Sequence, residues 1–290
     1  MDPLTFYAKP GPMTDPGKHA PLFDNLPDGL NQLCKIVQNN MIHVFWAQRM
    51  GIKLTEAQQS TLQIRSISEK LALITETDNQ PLTTSRSLSQ RQVGNCRDFT
   101  LLLVSILRHK GIAARARCGF AAYFLPNHYE DHWVAEYWNP AKKSWTMVDS
   151  QLDTFQKEAL KIKFDTLNVP PDMFLTAGKA WQMCRKGKAD PDTFGIMDMH
   201  GFQFIWGNVI RDFLALNKIE ILPWDGGWGF LKQKLSDPLP DKETLKLYDK
   251  IATLTLENNT KFPEIRDYYK QEPRFHPPSE WGLQEEQTTR

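Results

Sequence analysis

Three residues of this chain have the types and spacing for nucleophilic chemistry. Cys96 stands in Gly94-Asn95-Cys96-Arg97-Asp98-Phe99, directly before the apolar run over residues 100–107. His132 opens a strand-like run, and Asp149 ends the next one. Thiolate, rather than thiol, is the nucleophile, and a free cysteine has a pKa of about 8.5. A helix N-terminus lowers that value, because unpaired backbone N–H groups and the macrodipole favour negative charge. The spacing predicts Asn95 as the helix N-cap, with Gly94 allowing a tight backbone entry. A histidine such as His132 can take the thiol proton and give a thiolate–imidazolium pair. Asp149 would then fix the imidazole's tautomer and orientation.

A tetrahedral intermediate needs oxyanion donors. The Cys96 backbone N–H is one candidate, and the Gln92 and Asn95 side chains are others. Trp133, beside His132, is a candidate binding residue. So are Trp224 and Trp228 in Leu222-Pro223-Trp224-Asp225-Gly226-Gly227-Trp228-Gly229, which could form an aromatic wall for a planar or sugar-like group. The plainer alternative is that these aromatics supply core area. Arg185, Lys186, Lys188 and Arg211 could hold a carboxylate or phosphate, with a solvated basic face as the default. His128 and His132 are four apart, which suits a metal only on a helix. The alternation over residues 132–138 instead indicates a strand, so neither a metal nor a cofactor is expected.

These groups need elements to position them. Leu30, Leu33, Cys34, Val37, Met41, Val44 and Phe45 recur at helical steps, which predicts a helix over residues 30–47. A second helix is expected over residues 55–75, opened by the capping-box pattern Thr55 to Gln58. Residues 78–91 are polar and form a loop leading to Cys96. The helix over residues 96–110 buries Phe99, Leu102, Leu103, Ile106 and Leu107 and stops at Gly111. Strands are expected over residues 113–124, 132–138 and 145–148. Turn chemistry at residues 139–144 joins the last two as a hairpin, with His132 and Asp149 as cross-strand neighbours near its open end. Further helices are expected over residues 171–184, 201–216 and 242–257. Residues 1–28 read as an irregular arm, and the last thirty-odd as irregular and charged.

The chain has 290 residues, 41% of them apolar and 24% charged, with a net charge of +1. That balance gives no global argument for nucleic acid or an anionic membrane. No apolar run approaches the ~20 residues that span a bilayer, and the N-terminus lacks a signal-peptide pattern. A cytoplasmic location is the expectation. The four cysteines form no CxxC pair, so neither a disulfide framework nor a cysteine-based zinc site is expected.

Several words of the sequence resemble the catalytic core of the transglutaminase-like superfamily. They are Gly94-Asn95-Cys96-Arg97-Asp98, residues 103–107 with Arg108, Gly111-Ile112-Ala113-Ala114-Arg115, Gly119-Phe120, His132-Trp133-Val134-Ala135-Glu136 and Trp145-Thr146-Met147-Val148-Asp149. They cover roughly residues 90–153. The resemblance implies Cys96 as nucleophile, His132 as base and Asp149 as orienting acid. It also implies thioester chemistry on an amide or acyl group of a protein, peptide or small molecule, by transfer, deamidation or hydrolysis. The animal crosslinkers of that family have Gln where Asn95 stands here, and flanking β-sandwich domains where residues 150–290 read as helical. No calcium loop is visible, so calcium-dependent crosslinking is not expected. The expected fold is α+β: one domain over residues 1–290, with a transglutaminase-like/papain-like core over about 30–153. In that core the nucleophile helix packs on an antiparallel sheet. A helical elaboration over 154–260 and an irregular tail over 261–290 follow. The alternatives are a cysteine protease, or an inactive fold used as a binding module or scaffold.

Overall fold

The computed structural model describes residues 2–281, and the chain forms two compact units. One comprises the chain up to Ala116 together with Trp133–Pro170; the other comprises Arg117–His132 and the chain from Pro171 onward.

In the first unit the N-terminal arm, expected to be irregular, holds two helical elements: α1 (Pro3–Tyr7), whose N-cap Asp2 accepts from the Leu4 and Thr5 amides, and a 3-10 helix over Gly17–Phe23 that buries Phe23. The arm is anchored: Ser105 Oγ donates to Thr14 O and Arg108 Nη1 to Thr14 Oγ1. Helix α2 (Leu30–Asn40) buries Leu33, Cys34, Ile36 and Val37. The helix expected over residues 30–47 breaks there. Backbone turns extended at Met41 to give β1 (Met41–His43), and helix resumes only in α3 (Val44–Ala47). The buried Asn40 amide donates to Ile36 O and Leu82 O and accepts from Arg86. Met41–His43 then pairs with a distant strand, so tertiary pairing overrides the helical period.

The helix expected over residues 55–75 is also divided. Thr55 and Gln58 form the capping box of α4 (Glu56–Ser60), whereas Ser66 caps a separate α5 (Ile67–Thr77). The polar loop that follows is tied down by Arg86, which donates to Asp78 O and Gln80 O, and by Arg91, which donates to Gln38 O. It leads into β2 (Gln92–Gly94), paired in parallel with β1 so that His43 faces Gly94.

Helix α6 (Cys96–His109) begins at Cys96, and every residue in it except His109 is buried. Gly111 adopts φ +72°, the left-handed conformation that closes a helix. Strands β3 (Ala114–Ala121), β4 (Tyr129–Asn139) and β5 (Ser144–Val148) follow, and β4 and β5 form the expected hairpin. Arg115 on β3 binds Glu136 on β4 at 2.7 Å and lies 3.9 Å over the Trp145 ring. The short α7 (Thr154–Ala159) is capped by Asp153.

The second unit is not simply helical. It begins with β6 (Phe174–Thr176), antiparallel to β3, and continues through α8 (Ala177–Arg185). Strand β7 (Phe194–Ile196) runs parallel to β4, and β8 (Met199–His200) returns antiparallel to β7. The sheet order is therefore β6-β3-β4-β7-β8, with β5 also on β4. The fold is α+β, but its sheet is mixed rather than antiparallel as expected. Helices α9 (Phe202–Leu216) and α10 (Lys242–Leu256) match expectation. With α8 they enclose Trp181, Trp206 and Tyr248, the last two stacked at 3.4 Å. Asp212 of α9 accepts from Arg117 at 2.9 and 2.8 Å and from the Cys118 amide at 3.0 Å. The tail expected to be irregular contains α11 (Phe262–Gln271), which buries Phe262, Ile265 and Tyr269. Those apolar positions at helical spacing outweigh the charge around them. The remainder of that tail, residues 282–290, lies outside the described residues.

Among the described residues, no helix is long and apolar enough to cross a membrane, and no group of three or more His, Cys, Asp or Glu could hold a metal ion.

Candidate active site

In the first unit, Cys96 is 8% exposed at the first position of α6. Asn95 is the N-cap, as its type predicts. Its Oδ1 accepts the Asp98 amide at 3.2 Å, and Asp98 Oδ2 accepts the Asn95 amide at 3.2 Å. With Oδ1 engaged in the cap, Asn95 Nδ2 is buried and has no hydrogen-bond partner. Asp98 is held by Arg97 Nη1 at 2.9 Å and by Lys70 Nζ at 3.2 Å. Burial pulls the Lys70 pKa down, and Asp98 opposes that shift. Two basic side chains therefore meet one carboxylate beside the cysteine. The helix N-terminus itself favours negative charge at its first residue.

The expected role of Gln92 as an oxyanion donor is corrected. Its Nε2 donates to Thr61 Oγ1 at 2.7 Å and to Val93 O at 3.0 Å, which commits both hydrogens of that amide.

Asp149 is 1% exposed, just past the end of β5. Its amide donates to Thr166 O at 2.9 Å, and its Oδ1 accepts the Gln151 amide at 2.9 Å. Ser150 Oγ donates to Phe99 O at 3.1 Å, which ties the end of β5 to the first turn of the cysteine's own helix. On the α2 side, burial pushes the Cys34 thiol up to about 12, and the charge of Asp149 adds to that shift.

In the second unit, His132 is 2% exposed. Its ring stands edge-on to Phe124 at 4.9 Å, Tyr123 at 5.9 Å and Phe174 at 6.4 Å. The preceding carboxyls, Glu130 and Asp131, are both pushed up by burial. Asp131 accepts from Asn208 Nδ2 at 2.7 Å. The expectation that His132 and Asp149 are direct cross-strand neighbours is corrected by the register. Ala135 pairs with Val148, so one further step would set Val134, not His132, against Asp149. The pairing is symmetric about the turn, but His132 lies seven residues before Asn139 and Asp149 only five after its pair Ser144, so the two are offset by two.

The tryptophans do not form one exposed wall. Trp133 is buried with its indole N–H unpartnered. Trp224 is 47% exposed, whereas Trp228 is 9% exposed and edge-on to Trp281 at 6.1 Å. Arg211 Nη2 donates to Asp225 O at 3.0 Å and so braces the loop between the latter two tryptophans. Arg185 is paired with Asp249 at 3.1 Å.

His43 is absent from the sequence expectations, because it falls inside what reads as a continuous helix. It is buried, it faces Gly94 across the β1–β2 ladder, and its Nδ1 accepts the Phe45 amide at 3.2 Å. Its ring centre is 6.2 Å from that of Phe99.

Residues 46–150 match the model of the transglutaminase-like superfamily, which is in general a superfamily of cysteine enzymes. No curated protein matches the sequence. Among solved structures, the chain is similar to one described as a proposed cysteine protease from Cytophaga hutchinsonii. The identity is 19%, over 55% of this chain and 46% of that one, with a TM-score of 0.21. The match thus spans less than half of that protein. The segment that matches the superfamily model, residues 46–150, contains Cys96, His132 and Asp149.

Proposed function

We propose that this protein is a cysteine acyl-transfer enzyme acting on an amide or related acyl group. The observation that carries this reading is the environment of Cys96. A thiol stands at the capped N-terminus of a buried helix, in whose first turn Asp98 is paired with Lys70 and Arg97, within the superfamily-matching segment. The Cys96 thiolate attacks the acyl carbonyl and a C–S bond forms. The carbonyl electron pair moves onto oxygen. That oxyanion is met by the Cys96 backbone N–H and by Asn95 Nδ2, the buried donor that the cap leaves unused. His132, having taken the thiol proton, gives it to the leaving amine as the C–N bond breaks, with Asp149 orienting the imidazole. Water or a second amine then attacks the thioester and yields a carboxylic acid or a new amide, and the thiol is restored.

The test is incubation of the full chain with glutamine-containing peptides, with and without a primary amine. Mass spectrometry would follow the peptides and the Cys96 peptide. The expected result is an acyl adduct on Cys96 and turnover that disappears in Cys96→Ala. Turnover that survives in Cys96→Ala would contradict the proposal.

A further inference from the structure

We infer that Gln38 is a positioning residue, which sets the orientation of the Asp149 carboxylate through a single peptide unit. This deepens the acyl-transfer reading and rests on it.

Asp149 lies where neither sheet nor helix holds it. The β4–β5 ladder ends at the pair Ala135 and Val148, and α7 begins only at Thr154. Residues 149–153 belong to no regular element, so individual hydrogen bonds must place them. Ser150 and Leu152 are buried, at 1% and 0% exposure, and buried carbonyls are nearly always paired. One atom takes both of theirs: Gln38 Nε2, on α2, donates to Ser150 O at 3.1 Å and to Leu152 O at 3.2 Å. That commits both hydrogens of the amide.

The bond to Ser150 O reaches Asp149 through one rigid link. The carbonyl of Ser150 and the N–H of Gln151 belong to the same planar trans peptide, and Asp149 Oδ1 accepts that N–H at 2.9 Å. A hydrogen-bond chain thus runs from Gln38 Nε2, across one peptide plane, to the carboxylate. A donor on the carbonyl fixes the tilt of the plane and polarises it, which strengthens the N–H on the far side.

A second observation sets the same face of α2 against the acid. Burial raises the Cys34 thiol, and the charge of Asp149 adds to that shift. Cys34 stands four residues before Gln38, a spacing that shares a helix face. The main chain of Gln38 meets the approach to the nucleophile: its carbonyl accepts from Arg91 Nη1 at 2.9 Å, and Arg91 directly precedes β2. One residue therefore joins the segment that carries the acid to the loop that leads to Cys96.

Substitution of the side chain keeps the Arg91 bond and removes only the two donors. With p-nitrophenyl acetate, the Cys96 thiolate adds to the ester carbonyl, and p-nitrophenolate leaves as the acetyl thioester is made. Mass spectrometry of the Cys96 peptide follows this step in the full chain. Asp149→Ala should slow it. Gln38→Met should slow it about tenfold, within the range of coupling in one hydrogen-bond network. In an Asp149→Ala or Asp149→Asn background, Gln38→Met should change the rate less than about twofold, because the carboxylate it orients is gone. Gln38→Glu keeps the reach of the side chain but, ionised at neutral pH, has no hydrogen to donate. It should slow the step at least as much, and it serves if the Met variant does not fold, which urea unfolding shows. Equal fold losses with and without Asp149, or wild-type rates in the Gln38 variants, would overturn the assignment and leave Gln38 a structural clamp. A wild-type Cys96 that is not acetylated, or an Asp149→Ala chain as fast as wild type, would overturn the acyl-transfer reading and this inference with it.

Discussion

Asn95 and Asp98 cap each other across the first turn of α6, each side chain accepting the other's backbone amide at 3.2 Å. The pair fixes where the helix starts, and hence that its first residue is a cysteine. Asn95→Ala should lower stability by about 1 kcal/mol, the usual value of an N-cap. Asn95→Ser should restore most of it, because a hydroxyl also caps. Urea unfolding of the three chains measures this directly; equal loss in Ala and Ser would show that the cap is not the stabilising feature.

The thiols should differ in reactivity. Burial pushes Cys34 and Cys184 up to about 12, with Asp149 adding to the first shift and Asp190 to the second. Both remain protonated from pH 7 to 9 in the folded chain. Peptide mapping after brief iodoacetamide treatment should find them unlabelled until denaturant is added. Native labelling of either at the rate of a free thiol would contradict their placement.

Two glycines are fitted to close approaches of different kinds. A Cβ on Gly94 would come 2.4 Å from the Met41 methyl and 3.0 Å from Asp98 Cβ; one on Gly119 would come 2.2 Å from the Leu175 carbonyl oxygen. A Met methyl can swing aside, whereas a strand carbonyl cannot move without its ladder. Gly119→Ala should therefore destabilise more than Gly94→Ala, which falls in the 1–3 kcal/mol range of overpacked sites. Thermal melts of both variants check the order, and a reversed order would contradict the β3–β6 packing.

Asp131 links stability to pH. Burial raises its pKa, with Arg211, Asn208 and His132 opposing. A carboxyl raised on folding binds its proton more tightly in the folded state. Its contribution is thus fully present below the ordinary value of 3.8 and is lost as pH rises through the folded value. Asp131→Asn should remove that loss and flatten the stability curve above pH 4. An unchanged slope would show that Asp131 titrates normally.

Much of the candidate site was legible because local rules govern it. Asn95 before an apolar run marks a helix start, and Gly111 marks its end, so α6 is found almost to the residue. Periodicity and turn chemistry likewise give the β4–β5 hairpin. What was not legible depends on partners distant in sequence. Met41–His43 keeps a helical pattern until Gln92–Gly94 pairs with it, so β1 and His43 were missed. Strands β6, β7 and β8 are two or three residues long, too short for any period to show. Gln92 looks like an available loop donor until Thr61 and Val93 occupy its amide. The two-residue offset of His132 and Asp149 was legible: the pairing runs symmetrically from the turn at residues 139–144, and seven residues separate His132 from Asn139 against five from Ser144 to Asp149.

The central claim is that Cys96 is a thiolate sustained by His132. The measurement that tests it most directly is the pH dependence of Cys96 alkylation by iodoacetamide, followed by mass spectrometry in wild type and His132→Ala. The account predicts rapid reaction of wild-type Cys96, with a midpoint well below the ~8.5 of a free thiol and a shift towards that value in the variant. A Cys96 that reacts no faster than a free thiol, or equally in both chains, would contradict it.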